Sequence, residues 1–379
     1  MIFDEFSPSR TRRTLTAGGR TLRALGLDGQ LTGVLAVIVS IGVLVVYSAS
    51  GQNWRMVEHH LVNIAIAVAA LLALAKFATP QYLRMFAPIA YIIGVLLLIV
   101  VDVTGHVGKG AQRWLDIGFM RFQPSEIMKL AVPMMCAWYM HERPLPPTFL
   151  DLLVMGILIA IPTAMIVTQP DLGTALLIAA SGLIVMLLAG LQIQLILISI
   201  PLLGGAAWAA WHFIHDYQRQ RILMFLNPEN DRLGAGYHII QSQIAIGSGG
   251  LFGKGYMNGS QAQLEFLPER STDFIFAVIG EEFGLLGQLL ILALYGVVIG
   301  RALYLAMQAQ GTFARLTGGA IALGFFVYVF VNSGMVSGIL PVVGVPLPLI
   351  SYGGTSMVTL LAGFGILMSL HSHRKLIGS

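Results

Sequence analysis

The sequence predicts an all-α polytopic membrane protein with about ten transmembrane helices. Of its 379 residues, 56% are hydrophobic and 11% are charged, and the mean hydropathy is +0.79. A soluble domain carries about 25% charged residues, so this composition excludes an ordinary soluble protein. The apolar segments have the length of bilayer-crossing helices, about 20 residues, and lack the short alternating pattern of membrane β-strands.

Ten apolar segments are predicted to be helices, and they divide the chain into a membrane domain, 31–372, and two cytoplasmic tails, 1–30 and 373–379. The fourth segment follows Pro124, which suits the first turn of a helix. The eighth is long enough to project beyond the bilayer. The predicted helices are 31–50, 57–76, 82–103, 124–140, 149–167, 171–189, 192–213, 273–307, 313–338 and 350–371.

Basic residues predict the orientation of these helices. An even number of spans places both termini on one side of the membrane. The first 28 residues contain five arginines, and Arg374 and Lys375 lie near the other end. Because positive charge is retained on the cytoplasmic side, we expect both termini in the cytoplasm. The first segment lacks the pattern of a cleaved signal peptide, so we expect it to persist as a tail.

Two loops are predicted to lie on the outer face. The connection 104–123 carries Lys109, Arg113 and Arg121 against the usual charge bias, so we expect these cations to hold an anionic ligand. The long extracytoplasmic loop, about 214–272, joins the seventh and eighth helices and is rich in glycine. Within it, HIIQSQIAIG has the pattern of a short amphipathic helix on the membrane surface.

The glycine-rich stretch does not match a nucleotide-binding motif. Counting back from Gly253-Lys254 puts Ser248 where a phosphate loop needs glycine, and Phe252 stands at the third glycine of a dinucleotide fingerprint. Tight turns are the favoured interpretation, with phosphate binding by backbone amides as the alternative. The net charge is only +4, and no run of basic and aromatic residues suggests a nucleic acid partner.

Three further features have structural interpretations. His212 and His215 are spaced like metal ligands on one helical face, but the aromatic residues around them favour a membrane-boundary belt, so no metal site is predicted. The single cysteine, Cys136, is expected to pack within an apolar helix, and it excludes an intrachain disulfide. Glu126 and Lys129 are three residues apart and are expected to form an ion pair.

Acidic residues near the ends of predicted helices have more than one interpretation. Asp171, in QPDLGT, fits both a helix cap and a functional role. Glu281 and Glu282 are rotated by roughly 80° and 180° from Asp273 around a helix, so they do not share a face with it. We expect them in helix–helix contacts.

The end of the long loop holds a cluster of charges within the stretch 261–280, QAQLEFLPERSTDFIFAVIG. On local sequence, Ser271, Thr272 and Asp273 would cap the eighth helix. The cluster favours a functional site instead, because charges beside lipid are costly and the loop is otherwise poor in charge. Its members are Glu265, Glu269, Arg270 and Asp273.

Four segments of the sequence resemble the SEDS family, the shape, elongation, division and sporulation proteins. They are RWLDIGFMRFQPSEIMKL, QPDLGT, QLEFLPERSTDFIFAV and GMVSGILPVVGVPLPLISYGGTS, in that order from Arg113 to Ser356. Glu269-Arg270 after Leu-Pro resembles the rod-elongation branch. The resemblance implies a ten-helix peptidoglycan glycosyltransferase that polymerises lipid II and works with a class B penicillin-binding protein and other proteins of the elongation complex.

The resemblance also assigns roles to individual residues. Asp273 matches the family's essential catalytic aspartate, and Glu265 matches a position of functional interest in the same loop. The family usually has histidine two residues before the aspartate, where this chain has Ser271, which argues against a catalytic histidine there. The implied location is the bacterial cytoplasmic (inner) membrane, with the active site on its outer face.

The implied reaction needs one carboxylate. The 4-hydroxyl of an acceptor sugar displaces undecaprenyl pyrophosphate from an α-linked donor, so one inverting step with Asp273 as general base gives a β-1,4 bond. Pyrophosphate leaves without a proton but needs positive charge, which a divalent cation, Mg²⁺ or Mn²⁺, can share. The candidate cations are Lys109, Arg113, Arg121, Lys254 and Arg270, and Glu265 and Glu269 are further substrate-binding candidates.

Interpretations from other functional classes stay open. Intramembrane charges such as Glu126, Lys129 and Glu281 also suit a transporter, or flippase, of lipid II. A non-catalytic scaffold for a penicillin-binding protein is the third interpretation. The proline-rich segment GVPLPLISYGG is expected either to shape the groove that admits the lipid or to form a rigid outer turn.

Overall fold

Nine helices of the computed structural model correspond to predicted transmembrane helices. The structure describes residues 25–104, 106–108, 111–116, 121–191, 201, 204–205, 235–264, 266–267 and 269–373. In chain order, its helices are α1 (Gly29–Ala49), α2 (Trp54–Phe77), α3 (Pro80–Thr104), α4 (Ser125–Met140), α5 (Phe149–Thr168), α6 (Leu172–Leu188), α7 (Ala235–Gly249), α8 (Ser260–Gln263), α9 (Ile275–Gln308), α10 (Thr312–Val336) and α11 (Gly354–Ser372).

The predicted fold class, a helical polytopic membrane protein, is confirmed. Seven of these helices are long and apolar enough to cross a membrane, namely α1, α2, α3, α5, α9, α10 and α11, and α6 is a shorter apolar helix. The predicted seventh helix, 192–213, falls almost entirely outside the described residues. The segments 1–24 and 206–234, with His212 and His215, also lie outside them.

Polar side chains explain where several helices begin. Asp28 caps α1 by accepting a hydrogen bond from the Leu31 N–H, 2.9 Å, and Asn53 caps α2 in the same way. At α5, Thr148 and Asp151 form a reciprocal capping box. Each cap satisfies N–H groups that have no partner inside the helix.

A small antiparallel sheet occupies part of the segment that we predicted as the loop 104–123. The strand β1 (His106–Gly108) pairs with β2 (Ala111–Asp116), and β2 pairs with β3 (Arg121–Phe122). The strands have two to six residues, which is too short for alternation to be recognised in the sequence. The sheet fixes the position of Arg113 beside the start of α4.

Two clusters of buried apolar side chains form the core. The first is drawn mainly from α1, α2, α9, α10 and α11, and the second mainly from α3, α4, α5, α6 and α10. Residues of α10 and α11 belong to both clusters. These two helices therefore join the two halves of the protein.

Helix α9 is interrupted at Gly284, whose φ is +66° and whose conformation is not helical. The sequence had predicted one continuous helix, 273–307, and that prediction is wrong at this point. The turn 250–255 lies in the interruption and satisfies the backbone groups that the break exposes. The hydrogen bonds run from Lys254 N to Glu281 O, 2.9 Å, from Gly255 N to Glu282 O, 3.0 Å, and from Leu285 N to Gly250 O, 2.9 Å.

The two carboxylates beside this break are buried, with 0% of Glu281 and 1% of Glu282 exposed. Ser48 of α1 donates a hydrogen bond to Glu282, which is the helix–helix contact expected from the sequence. Glu281 instead accepts from Lys254 Nζ at 2.7 Å and from Ser260 Oγ at 3.1 Å. Glu281 thus holds the turn 250–255 and the start of α8.

Helix α7 includes the segment HIIQSQIAIG, in which a short helix was predicted. It packs against α9 and α10, so one of its faces is covered by protein. Ser242 is fully buried and donates to Val336 O, 2.8 Å. A Cβ on Gly249 would lie 2.0 Å from Gly280 O, so glycine permits the close approach of α7 and α9.

Candidate active site

A cavity of about 700 Å³ contains Asp273. Its walls come from the turn before α9, from the first turns of α4 and α6, from β2, and from the segment between α10 and α11. Both halves of the protein therefore contribute to it. Its charged and amide side chains are Arg113, Gln123, Glu126, Lys129, Asp171, Glu269 and Asp273.

Asp273 lies half-buried in the turn that precedes α9. Phe274 occupies the N-cap position of this helix, which has no side-chain cap hydrogen bond. Thr272 Oγ1 donates instead to Glu269, to its carbonyl at 3.2 Å and to Oε2 at 3.0 Å. The capping arrangement that local sequence alone would favour is therefore not the one at the N-cap position, which Phe274 occupies.

The main chain at Asp273 is held by a side chain from another helix. Asn332 of α10 is fully buried. Its Nδ2 donates to Asp273 O at 2.8 Å and to Val345 O at 2.7 Å. Because one amide group joins both carbonyls, the turn that carries Asp273 and the segment after α10 are positioned together.

The proline-rich segment between α10 and α11 closes over this turn. Tyr352 N donates to Ser271 O, 2.9 Å, and Ser351 Oγ donates to the next carbonyl along the chain, 2.5 Å. Gly344 has a φ of +71°, and a Cβ there would lie 3.5 Å from Asp273 Oδ2. The segment therefore lines the cavity.

The predicted ion pair of α4 also lines the cavity. Lys129 Nζ lies 2.7 Å from Glu126 Oε1, and the two side chains are 9% and 6% exposed. Lys129 Nζ also lies 5.3 Å from the centroid of the Tyr328 ring. Glu126 Oε2 is buried and has no hydrogen-bond partner in the described part of the chain. The pair was predicted, but its place in the wall of this cavity was not.

Asp171 forms the helix cap that was one of its two interpretations, and it also lines the cavity. Its side chain caps α6 by accepting from Thr174 N, 3.3 Å. Its Oδ2 also accepts from Gln123 Nε2, 3.1 Å, and lies 3.7 Å from Arg113 Nη1. Arg113 in turn donates to Gln169 O, 3.1 Å, so β2 is anchored to the turn between α5 and α6.

The predicted site residues do not all meet at this cavity. Arg113, Glu269 and Asp273 line it. Lys254 forms its ion pair with Glu281. The remaining candidates are placed as follows: Arg270 Nε donates to Ala49 O at the end of α1, 2.7 Å, Arg121 lies in β3, and Lys109 and Glu265 lie outside the described residues.

Sequence reasoning missed two contributors to the site, and it left a third, Asp171, between a cap and a functional role. Lys129 was given a structural interpretation as one half of an ion pair, and Asn332 was not singled out. The signal for Lys129 was present, because charged groups within apolar segments are costly and mark functional sites. No comparable signal marks Asn332, because an amide within an apolar helix is uncharged and its two acceptors are distant in sequence.

The arrangement places a half-buried carboxylate in the same cavity as two cations, Arg113 and Lys129. A carboxylate in this position is suited to accept a proton from a hydroxyl group. Guanidinium and ammonium groups are suited to stabilise an anionic leaving group within a partly enclosed site. The cavity therefore has the components for transfer of a group from a phosphate or pyrophosphate carrier.

Comparisons of the sequence agree with this geometry. The model of the FtsW/RodA/SpoVE family, described as "Cell cycle protein", matches residues 29–376. The peptidoglycan glycosyltransferase MrdB of Escherichia coli (strain K12) is 52% identical over 352 residues, 93% of this chain and 95% of the relative. A probable peptidoglycan glycosyltransferase FtsW of Trichlorobacter lovleyi is 34% identical over 364 residues, 90% and 92% of the two chains.

Comparisons of the structure give the same picture. A chain from a solved structure, described as "Structural coordination of polymerization and crosslinking by a peptidoglycan synthase complex", superposes with a TM-score of 0.82 and 30% identity. The match covers 92% of this chain and 98% of that one. The crystal structure of the rod shape determining protein RodA of Thermus thermophilus matches with a TM-score of 0.70 and 28% identity, over 92% and 97% of the chains.

Proposed function

This chain belongs to the FtsW/RodA/SpoVE family of cell cycle proteins, and we propose that it polymerises lipid II into β-1,4 glycan strands for cell-wall elongation and rod shape. Its similarity to peptidoglycan glycosyltransferases over nearly their whole length supports this enzyme class. The observation that carries the proposal is the position of Asp273, half-buried in a cavity that also holds Arg113 and Lys129.

Asp273 acts as the general base in the proposed reaction. It takes the proton from the 4-hydroxyl of the acceptor sugar as that oxygen attacks the anomeric carbon of the donor. The bond from the anomeric carbon to the pyrophosphate oxygen breaks in the same step, and the configuration inverts from α to β. The hydrogen bonds of Asn332 and Tyr352 support this role because they hold the turn that carries the carboxylate.

The pyrophosphate leaves with its negative charge and needs cations, not a proton donor. Arg113 is 28% exposed, and among the predicted cations whose side chains the structure describes it is the one that lines the cavity. Lys129 is the second cation of the cavity, and we propose that it supports Arg113, although part of its charge is compensated by Glu126 at 2.7 Å. Binding by Lys109, Arg121 and Glu265 stays a prediction, while Lys254 and Arg270 have protein partners away from the cavity.

A divalent cation is proposed only as an ion that the pyrophosphate brings with it. Among the described residues, no group of three or more His, Cys, Asp or Glu side chains is placed to hold a metal ion. These residues do not fit a metal ion held by the protein alone, and the proposed reaction does not depend on such an ion. Mg²⁺ and Mn²⁺ commonly bind phosphate oxygens with few protein ligands, so the expected ion would accompany the pyrophosphate. Polymerisation with EDTA, and after Mg²⁺ or Mn²⁺ is restored, tests this.

The proposed setting is the bacterial cytoplasmic membrane, with both termini in the cytoplasm and the Asp273 cavity at the outer face. The charge bias of the sequence supports this orientation. We also propose a class B penicillin-binding protein as partner, within the wider elongation complex. The support is the similarity to a chain of a complex that couples polymerization to crosslinking.

The test is polymerisation of labelled lipid II by the purified membrane protein together with its partner. We expect Asp273→Asn, which keeps the size of the side chain, to lower the rate at least 100-fold because the general base is lost. Glu58→Gln removes one negative charge from an exposed position on α2 and is the matched control. It should polymerise at the rate of the unmodified protein.

Three outcomes separate the alternatives. Normal polymerisation by Asp273→Asn, with an unchanged melting temperature, would overturn the base assignment and favour a scaffold. Movement of lipid II across vesicles without polymer would favour a flippase. Loss of polymer in Asp273→Asn, with the partner still bound, supports the glycosyltransferase.

A further inference from the structure

A second cavity, of about 1030 Å³, lies at the other end of α4 from the Asp273 cavity. Glu126 and Lys129 stand in the first turns of α4, whereas Trp138 and Tyr139 stand in its last turn and line the second cavity. The rise along this helix separates the two cavities by about 20 Å. On the predicted topology, the second cavity opens at the cytoplasmic boundary of the membrane.

Aromatic side chains form much of its wall. Tyr82, near the start of α3, is 57% exposed, and Trp138 is 40% exposed. Tyrosine and tryptophan concentrate at the level of lipid headgroups, where an apolar ring and a polar edge are both satisfied. We therefore expect the cavity to lie at the level of the lipid headgroups and not at the apolar centre of the bilayer.

Arg84 supplies a positive charge that no described carboxylate neutralises. It is half-buried, and its guanidinium hydrogen-bonds to His141 Nε2. A guanidinium only donates hydrogen bonds, so His141 Nε2 is the acceptor of this one. His141 Nδ1 is buried and has no partner within the described part of the chain.

The other charges of the cavity differ from Arg84. Arg143 lies 2.6 Å from Asp151 Oδ1, and its guanidinium stacks 4.0 Å from the centroid of the Tyr139 ring. Its charge is therefore already compensated. Glu142 is exposed at the rim, where water screens it. Arg84 is the cation left to attract an anionic ligand.

We propose that this cavity binds the phosphate of an acidic phospholipid headgroup, with Arg84 as the binding cation. The planar fork of a guanidinium matches phosphate oxygens and leaves several N–H donors after the bond to His141. Basic pockets between transmembrane helices on the cytoplasmic side are suited to acidic headgroups. Tyr82 and Trp138 flank the glycerol region of the same lipid.

The test measures lipid binding to the full-length protein in detergent by native mass spectrometry. Phosphatidylglycerol is the acidic probe and phosphatidylcholine the zwitterionic one. We expect Arg84→Gln to weaken phosphatidylglycerol binding by about fivefold, and Arg84→Lys to restore much of it because the charge returns. Lys76→Gln removes an exposed cation at the end of α2, on the same side of the membrane, and should leave binding unchanged.

A second arm distinguishes the sources of phosphate. Millimolar inorganic phosphate should not displace phosphatidylglycerol, and displacement would assign the cavity to a soluble phosphate compound instead. Wild-type affinity of Arg84→Gln for phosphatidylglycerol, or equal affinity of the unmodified protein for the two lipids, would overturn the proposal. Should Arg84→Gln fail to fold, Tyr82→Ala at an exposed position takes its place, and unchanged binding by that variant would count against the proposed wall.

Discussion

Asn332 is the residue on which the geometry at Asp273 depends most directly. Both N–H bonds of its amide are used, one to Asp273 O and one to Val345 O. Asn332→Leu keeps a similar volume but leaves two carbonyls without this donor, and each such loss costs about 1–3 kcal/mol. We expect kcat for lipid II polymerisation to fall roughly 10- to 100-fold with little change in KM, because a small displacement of a reacting group is costly.

The neighbouring Ser333 provides the matched control for this prediction. Its hydroxyl donates to Val329 O, 2.7 Å, within α10 and does not reach the turn before α9. Ser333→Ala should therefore keep kcat. If Asn332→Leu folds and also keeps kcat, the main chain at Asp273 is positioned by other contacts.

Single residues were predictable from the sequence where charge itself is the signal. Asp273 was selected from a cluster of charges beside lipid and Arg113 as a cation on the outer face, and both line the cavity. Arg270 and Lys254 were selected as outer-face cations too, yet they bind Ala49 O and Glu281. The sequence shows which side chains are charged, but the group that each charged side chain binds depends on how distant segments pack.

The interruption of α9 is the most consequential element that the sequence did not reveal. Gly253 belongs to the turn that fills it, with a φ of +80°, and a Cβ there would lie 2.1 Å from Glu282 O. We expect Gly253→Ala to displace the turn and to lower stability by roughly 2–3 kcal/mol, through the strained φ and the lost backbone hydrogen bonds. Thermal unfolding in detergent measures this.

Substitution of Gly250 distinguishes the cost of the strained φ from the cost of the lost hydrogen bonds. Its φ is +57°, but a Cβ there would meet no atom within 4 Å. Gly250→Ala therefore carries only the conformational cost, about 1 kcal/mol. Equal melting temperatures for Gly250→Ala and Gly253→Ala would show that the turn is not tightly docked against α9.

Elements were predictable in proportion to their length. Helices such as α1 and α2 follow from apolar segments of about 20 residues, which few other structures accommodate. The sheet of β1, β2 and β3 was missed because its strands are too short to show a period. The break in α9 was missed because the apolar run continues through Gly284, and the turn that stabilises the break comes from about 30 residues earlier in the chain.

At the scale of the whole molecule, the Asp273 cavity lies at the interface between the two halves that the two core clusters define. The turn before α9 belongs to the half built on α1, α2 and α9, while Glu126, Lys129 and Asp171 belong to the half built on α3 to α6. The carboxylate and the cations of the cavity are therefore brought together only when both halves are packed. The length of the apolar segments predicts the helices but not how the two halves pack.

A contact at the far end of the molecule ties α1 to α9 within the first half. Arg301 Nη2 lies 2.7 Å from Asp28 Oδ2, and Arg301 Nε donates to Asp28 Oδ1 at 3.0 Å. Burial raises the pKa of Asp28. The hydrogen bonds from Arg301 and from the Leu31 N–H lower it by a larger amount, so the pKa of the folded protein lies below the ordinary value of 3.8. The carboxylate is therefore ionised in the folded protein at neutral pH.

This lowered pKa predicts how stability depends on pH. The folded protein binds the proton of Asp28 less readily than the unfolded chain, so the ion pair contributes fully above pH 3.8 and is lost as the pH falls through the lower pKa of the folded state. Asp28→Asn keeps the helix cap and removes the charge. At pH 7 it should destabilise the protein by roughly 1 kcal/mol, and thermal unfolding in detergent should show this difference shrinking below pH 3.8.

Glu58→Gln, at an exposed carboxylate without this ion pair, should show no such difference at any pH. A constant gap between Asp28→Asn and the unmodified protein down to pH 3 would mean that the ionised carboxylate of Asp28 does not stabilise the junction of α1 and α9.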